Sequence, residues 1–244
     1  MNDADTAVPE SGPASEVRYD VADHVATLTL DAPERMNTIS PIMLQEISER
    51  LLEADADPDV RCIVLTGAGR AFCAGLDLQA QMAGPKGGLG SLSGASGPPP
   101  GEFDLRTAPP VVLHNIDTPT IAALNGGAAG YGLDLALGCD IRVAADTAKL
   151  NSGFAKRGIL PESGGTWLLP RIVGYARAAE IVFRAQTLTA SEALELGLVN
   201  HVVEPEDLAK KTAEIAGEIA SNAPRATRAV TRMMRAAETE TFAQ

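Results

Sequence analysis

The sequence predicts an α/β fold whose strands are joined by parallel connections, and two segments carry that prediction. "CIVLTG" (Cys62 to Gly67) and "TIAALNG" (Thr120 to Gly126) are short, continuous apolar runs that end in glycine, the pattern of strands buried on both faces. Each is followed by a glycine-containing turn and a helix-compatible stretch, so the chain alternates strand, turn and helix. The repeat is one of architecture, since the two segments are not alike residue by residue. With 244 residues, 45% of them hydrophobic, the chain is long enough to bury a sizeable core in one domain, or in one domain with a helical appendage.

The elements follow in order. Residues 1–16 are polar and acidic and read as a flexible leader. "HVATLTL", residues 24–30, alternates apolar and polar side chains as a half-buried strand does, and "DAPERMN" breaks it with proline; a first hairpin is expected here. Ser40 before Pro41 starts a helix, and Leu44, Ile47, Leu51 and Ala54 recur along it at steps of three and four. Gly84 to Gly101 is almost wholly Gly, Ser and Pro, which predicts a mobile loop inside the core. After Asp146 the chain turns helical in character. Thr189 and Glu192 have capping-box spacing, Gly197 is a stop, and a last amphipathic helix carries Leu208, Ile215 and Ile219 with Thr212 between them.

Composition excludes several function classes. A net charge of −12 leaves no basic face for nucleic acid. No apolar run reaches the roughly 18 to 20 residues of a membrane helix, and the N-terminus lacks a basic region followed by an apolar one, so a cytoplasmic protein is expected. Cys62, Cys73 and Cys139 have no CxxC spacing and sit in apolar surroundings; they read as core residues, with no disulfide framework and no metal site. GxGxxG fails because Phe72 stands where the third glycine belongs, and neither GK[ST] nor GxSxG occurs. His24, His114 and His201 read as structural.

Three segments are left to carry chemistry. "GAGRAFCAGLDL" (Gly67 to Leu78) and "NGGAAGYGLDLALGCDI" (Asn125 to Ile141) place small residues where a buried strand meets a turn. Such turns let a ligand approach the backbone and leave amide N–H groups to point at it, and the helix opening near Tyr131 adds its positive end. Two amides aimed at one point would stabilise an oxyanion; two tight turns around a core are the plainer alternative. The third segment, "GILPESGGTW" (Gly158 to Trp167), holds one isolated carboxylate, Glu162, which is either a solvated turn acid or a working acid/base.

Taken with "PERMN" (Pro33 to Asn37), "GILPESGGTWLLPRIVG" and "EALELGLVNHVV", these motifs resemble, in order and spacing, the crotonase or enoyl-CoA hydratase/isomerase superfamily, from about Val17 onward. The resemblance implies a crotonase-like spiral of ββα repeats over residues 17–188 and a C-terminal helical region, 189–244, that forms a homotrimer or a dimer of trimers. Family members usually continue past the point where this chain stops, Gln244, with helices that close the site. The implied substrate is an acyl-CoA thioester, with coenzyme A entering as part of the substrate and no cofactor bound permanently. By position, the oxyanion amides fall on Leu76, after Ala74 and Gly75, and on Tyr131, after Gly130. Coenzyme A would lie along Ala74, Gly75, Leu76, Asp77 and Leu78, with Arg35 toward its nucleotide end.

The resemblance also bears on the reaction. Of the two glutamates with which hydratases of the family hold water, the first falls on Asp134 and the second on Phe154. Glu162 instead matches the "P[DE]xGG" loop of several double-bond isomerases. The expected activity is therefore isomerisation of a 3-enoyl-CoA to the 2-enoyl-CoA, with Glu162 shuttling one proton in a pocket lined by Phe154 that raises its pKa. Hydration by Asp134 and Glu162 acting as a pair, and a non-catalytic acyl-CoA-binding protein, are the alternatives.

Overall fold

A computed structural model describes residues 15–77, 107–161 and 163–241. Residues 15 and 16 of the leader are described; the rest of it, the Gly84 to Gly101 loop, Leu78 and Glu162 lie outside the described residues. The larger of two sheets has the order β1 (Val17–Ala22), β2 (Val25–Leu30), β3 (Cys62–Gly67), β5 (Thr120–Leu124), β7 (Ile141–Ala145), β10 (His201–Val203). Only β1 and β2 are antiparallel; the other neighbours are parallel, with Val25 opposite Cys62, Ile63 opposite Thr120 and Ile121 opposite Ile141. The smaller sheet has the order β4 (Ala71–Cys73), β6 (Gly127–Ala129), β8 (Lys149–Asn151), β9 (Thr187–Thr189).

The hairpin turn lies at Asp23 and His24, whose φ angles of 50° and 66° give the two left-handed residues that match strand twist in a tight hairpin. The proline break after Leu30 forms a short 3-10 turn, Pro33–Arg35. Helix α1 (Pro41–Ala56) begins as its sequence predicts: the Ser40 hydroxyl accepts from the Met43 amide at 3.0 Å. Its buried face is Met43, Ile47, Leu51 and Ala54, while Leu44 sits at the edge of the core.

From β3 onward the chain winds as a spiral, because each turn gives one strand to each sheet before a helix closes it. β5 and β6 lead into α3 (Tyr131–Gly138), and β7 and β8 into α4 (Phe154–Arg157); α2 (Pro109–Asn115) precedes β5. Alternation along β3 explains its uninterrupted apolar run. Ile63 and Leu65 join the main core between the sheets and helices, whereas Cys62 and Val64 join a second core under a later helix. Each face is apolar because each face is covered.

Helices α5 (Gly165–Val173), α6 (Tyr175–Phe183), α7 (Ala190–Glu195), α8 (Leu208–Ser221) and α9 (Pro224–Ala236) complete the described chain. The part after Asp146 is thus not helical throughout, since β8, β9 and β10 lie in it. Thr189 and Glu192 close a capping box at α7, and Gly197 turns the chain at φ 72°. On α8 the buried line is Leu208, Thr212, Ala216 and Ala220, with Ile215 and Ile219 packed beside it on the second core. The last helix is α9, not α8 as the apolar pattern predicts. α9 has no buried residue; it is tied down by Arg228 to Asp55 at 3.1 Å, Arg235 to Asp140 at 3.0 Å, and Arg232 to Asp117. Cys62, Cys73 and Cys139 are buried and free, and burial pushes each thiol up to about 12, so they are inert core residues. Among the described residues no helix is long and apolar enough to cross a membrane.

Candidate active site

The first glycine turn is built where β4 ends. Gly75 takes φ 106°, a value that excludes a side chain without strain. Residues 36–39 run beside it as a backing strand: the Ala74 amide donates to Met36 O at 3.0 Å, Ile39 to Gly75 O at 2.8 Å, and Asp77 to Ile39 O at 3.0 Å. These bonds bracket Leu76.

Asn37 anchors that backing strand. Fully buried and left-handed at φ 53°, it accepts from the Ala32 amide at 2.9 Å and its Nδ2 faces Ala68 O at 2.9 Å and Ala71 O at 2.8 Å. Asn37 was not singled out from the sequence, although an asparagine closing a proline-initiated turn signals a left-handed residue. Asn37→Ala is expected to cost about 3 kcal/mol by urea denaturation, because it strands buried backbone groups and puts alanine at positive φ.

The second turn follows β6. Gly130, at φ 54° and ψ −123°, precedes α3, whose first residue is Tyr131. The two turns meet without a side chain between them. A Cβ built on Gly75 would stand 2.9 Å from Ala129 O and 3.8 Å from Tyr131 N. Gly132 presses α3 onto β4 just as closely, for its Cβ would lie 2.3 Å from Cys73 O. Leu76 and Tyr131, separated by the whole of one spiral turn, are thereby brought into one place, with the positive end of α3 at Tyr131.

Phe154 stands beside this point, its ring Cζ 3.9 Å from where a Gly130 Cβ would be. An apolar ring therefore occupies the flank where a second hydratase carboxylate would be expected. Asp134, one helical turn after Tyr131, is 2% exposed. Its Oδ2 accepts from the Ser163 hydroxyl at 2.5 Å and from the Gly165 amide at 3.2 Å. Burial pushes its carboxyl up to about 6, against the pull of those two donors. A Cβ on Gly165 would fall 2.2 Å from Asp134 Oδ1 and 2.8 Å from Oδ2, so the start of α5 lies directly on the carboxylate. Ser163 was not singled out from the sequence either; only its contact reveals it.

Glu162 and Leu78 lie outside the described residues, and Glu162 is bonded to Ser163, the residue that Asp134 holds. The Arg35 guanidinium is engaged within the protein: Nη2 pairs with Glu16 at 2.7 Å and Nε donates to Thr38 O at 3.1 Å. His24 faces Asp59 O at 2.9 Å and His114 packs edge-on against Trp167 with centroids 5.0 Å apart, both structural settings.

With this geometry in place, comparison with known proteins gives consistent findings. The family model described as enoyl-CoA hydratase/isomerase matches residues 20–244. The 1,2-epoxyphenylacetyl-CoA isomerase of Escherichia coli is 39% identical over 89% of this chain and 81% of its own. The short-chain-enoyl-CoA hydratase of Clostridium acetobutylicum is 37% identical over 82% and 73%. Among solved structures, a monofunctional enoyl CoA isomerase from M. smegmatis superimposes with a TM-score of 0.76 at 29% identity, covering 94% of this chain and 97% of that one.

Proposed function

We propose that this chain, which belongs to the enoyl-CoA hydratase/isomerase family of the crotonase superfamily, moves the double bond of a 3-enoyl-CoA to position 2. The family implies an acyl-CoA substrate; coenzyme A arrives and leaves as part of it. The observation that carries the reading is the environment of Asp134. Its carboxylate is occupied by Ser163 and Gly165, and the ring of Phe154 stands beside Gly130, so the two positions that hold water in hydratases carry a hydrogen-bonded acid and an apolar ring, and the register of the "PESGG" loop supports Glu162 as the base.

In this reading Glu162 removes a proton from carbon 2. The electron pair moves onto the thioester oxygen, where the amides of Leu76 and Tyr131 hold the enolate, and the same proton is returned to carbon 4 as the double bond shifts. One base suffices because nothing is added to the substrate. Hydration would require Asp134 to hold a water, although the start of α5 covers both of its oxygens. Self-association as a homotrimer or a dimer of trimers is part of the proposal, with the apolar stripe Val230, Met233 and Met234, exposed on α9, as its contact face.

The test offers purified protein 3-hexenoyl-CoA and crotonyl-CoA and follows conjugated thioester and 3-hydroxyacyl product separately. Conjugation without hydration is expected. Hydration at a comparable rate would move the assignment to a hydratase using Asp134 with Glu162, and binding without turnover to a non-catalytic acyl-CoA-binding protein.

A further inference from the structure

We propose that Asp134 and Ser163 are positioning residues: they clamp the start of α5, and with it the chain that bears Glu162, to the helix that begins at Tyr131. Two hydrogen bonds meet at one buried carboxylate. The Ser163 hydroxyl and the Gly165 amide both donate to Asp134 Oδ2, at 2.5 and 3.2 Å, and the missing side chain of Gly165 is what lets the backbone come so near. α5 has no side-chain cap of its own, its N-cap being Gly164 at φ 97°. Asp134 supplies that cap from another helix, satisfying an amide of the first turn that would otherwise lack an acceptor.

The arrangement also explains why an acid is placed where water could not reach it. The carboxylate spans two elements distant in sequence, 134 and 163–165, and fixes the spacing between the start of α3 and Ser163. Ser163 and Asp134 touch no substrate in this account; they act through the backbone. That the clamp matters for turnover rests on the isomerase reading above, whereas its ordering of residues 163–165 does not.

Two variants and two readouts test it. Ser163→Ala removes one donor and leaves the carboxylate in place, and Asp134→Asn removes the charge, leaving a weaker, neutral acceptor. Amide hydrogen exchange over residues 159–168 is expected to speed up by about tenfold in each, with the two effects less than additive in the double variant, while the rest of α3 and the large sheet keep their protection. Isomerisation kcat is expected to fall about 10- to 100-fold in each with KM for the thioester little changed, the signature of a misplaced base. Unchanged exchange in Ser163→Ala, at an unchanged melting temperature, would overturn the clamp whatever the activity. If Asp134→Asn removed an ionisation from the pH–rate profile without altering exchange, Asp134 would be a proton carrier and the clamp wrong. Glu162→Gln serves to separate the two ideas: full turnover in that variant beside faster exchange in Ser163→Ala would sink the shuttle and leave the clamp standing.

Discussion

Replacing Glu162 by glutamine is expected to lower the rate of 3-enoyl-CoA isomerisation about a thousandfold, within the range that a positioned general base contributes. Glutamine keeps the size and one acceptor of the side chain but cannot take up a proton at neutral pH. Affinity for the thioester should change little, since in this mechanism binding comes from coenzyme A contacts and from backbone amides rather than from the base. Kinetics in deuterium oxide add a second reading: washout of the carbon 2 proton should be lost together with isomerisation, because both begin with the same abstraction. If Glu162→Gln isomerised at the wild-type rate, the base would lie elsewhere. If only hydration fell, the carboxylate would be serving water.

Gly132→Ala is expected to damage the other half of the proposed machinery, the amide pair. The added methyl would sit 2.3 Å from Cys73 O and 2.8 Å from Cys73 Sγ, and both belong to the central strand-to-turn segment rather than to a flexible tip. α3 must therefore lift from β4, which carries Tyr131 away from Leu76. Overpacking of this kind costs about 1–3 kcal/mol, and displacement of one oxyanion donor about 10²–10³ in kcat. The measurement is kcat well below the melting temperature, so that loss of folded protein does not masquerade as loss of catalysis. Gly217→Ala is the matched control. That glycine lies within α8 with nothing within 4 Å of its absent Cβ, so alanine should stabilise the helix by about 0.5–1 kcal/mol and leave kcat alone. A Gly132→Ala enzyme with wild-type kcat would show that the amide of Tyr131 does not hold the enolate.

The sequence disclosed those parts of the fold that rest on local chemistry. Ser40 before Pro41 marks a helix start because a hydroxyl acceptor and a residue lacking N–H both suit that place, and the helix does start there. The apolar runs at Cys62 and Thr120 announce strands covered on both faces. The smaller sheet was not legible: β4, β6, β8 and β9 have three residues each, too few for a period to emerge, and they exist because the spiral delivers them side by side. α9 escaped notice although Pro224 and the stripe Val230, Met233 and Met234 signal it, since an apolar face that is not buried against the body does not extend the core pattern.

The site was legible to a different extent. Backbone amides carry no residue signature, so the proposed pair at Leu76 and Tyr131 rests on the small residues around them and on motif order; the structure shows the close approach of the two turns. Asp134 was visible as an acid, but its work depends on Ser163 and Gly165, some thirty residues away, a pairing that spacing along the chain does not encode. Asn37 shows the same limit: its partners at Ala32, Ala68 and Ala71 come from two separate turns.

The attachment of α9 sets it apart from the rest of the molecule in its response to ionic strength. The body is held by apolar burial, which salt does not weaken, while α9 is held by arginines at 228, 232 and 235, one helical face, reaching Asp55, Asp117 and Asp140. The side chain of Arg232 is 74% exposed, and counterions at a Debye length of about 8 Å in physiological salt, shrinking to about 3 Å at 1 M, compete directly for such a pair. Arg235, 16% exposed, is shielded and gives way last. The molecule thus contains two differently governed parts, a spiral whose apolar core salt does not weaken and a helix, α9, whose grip loosens, arginine by arginine, as the electrolyte concentration rises.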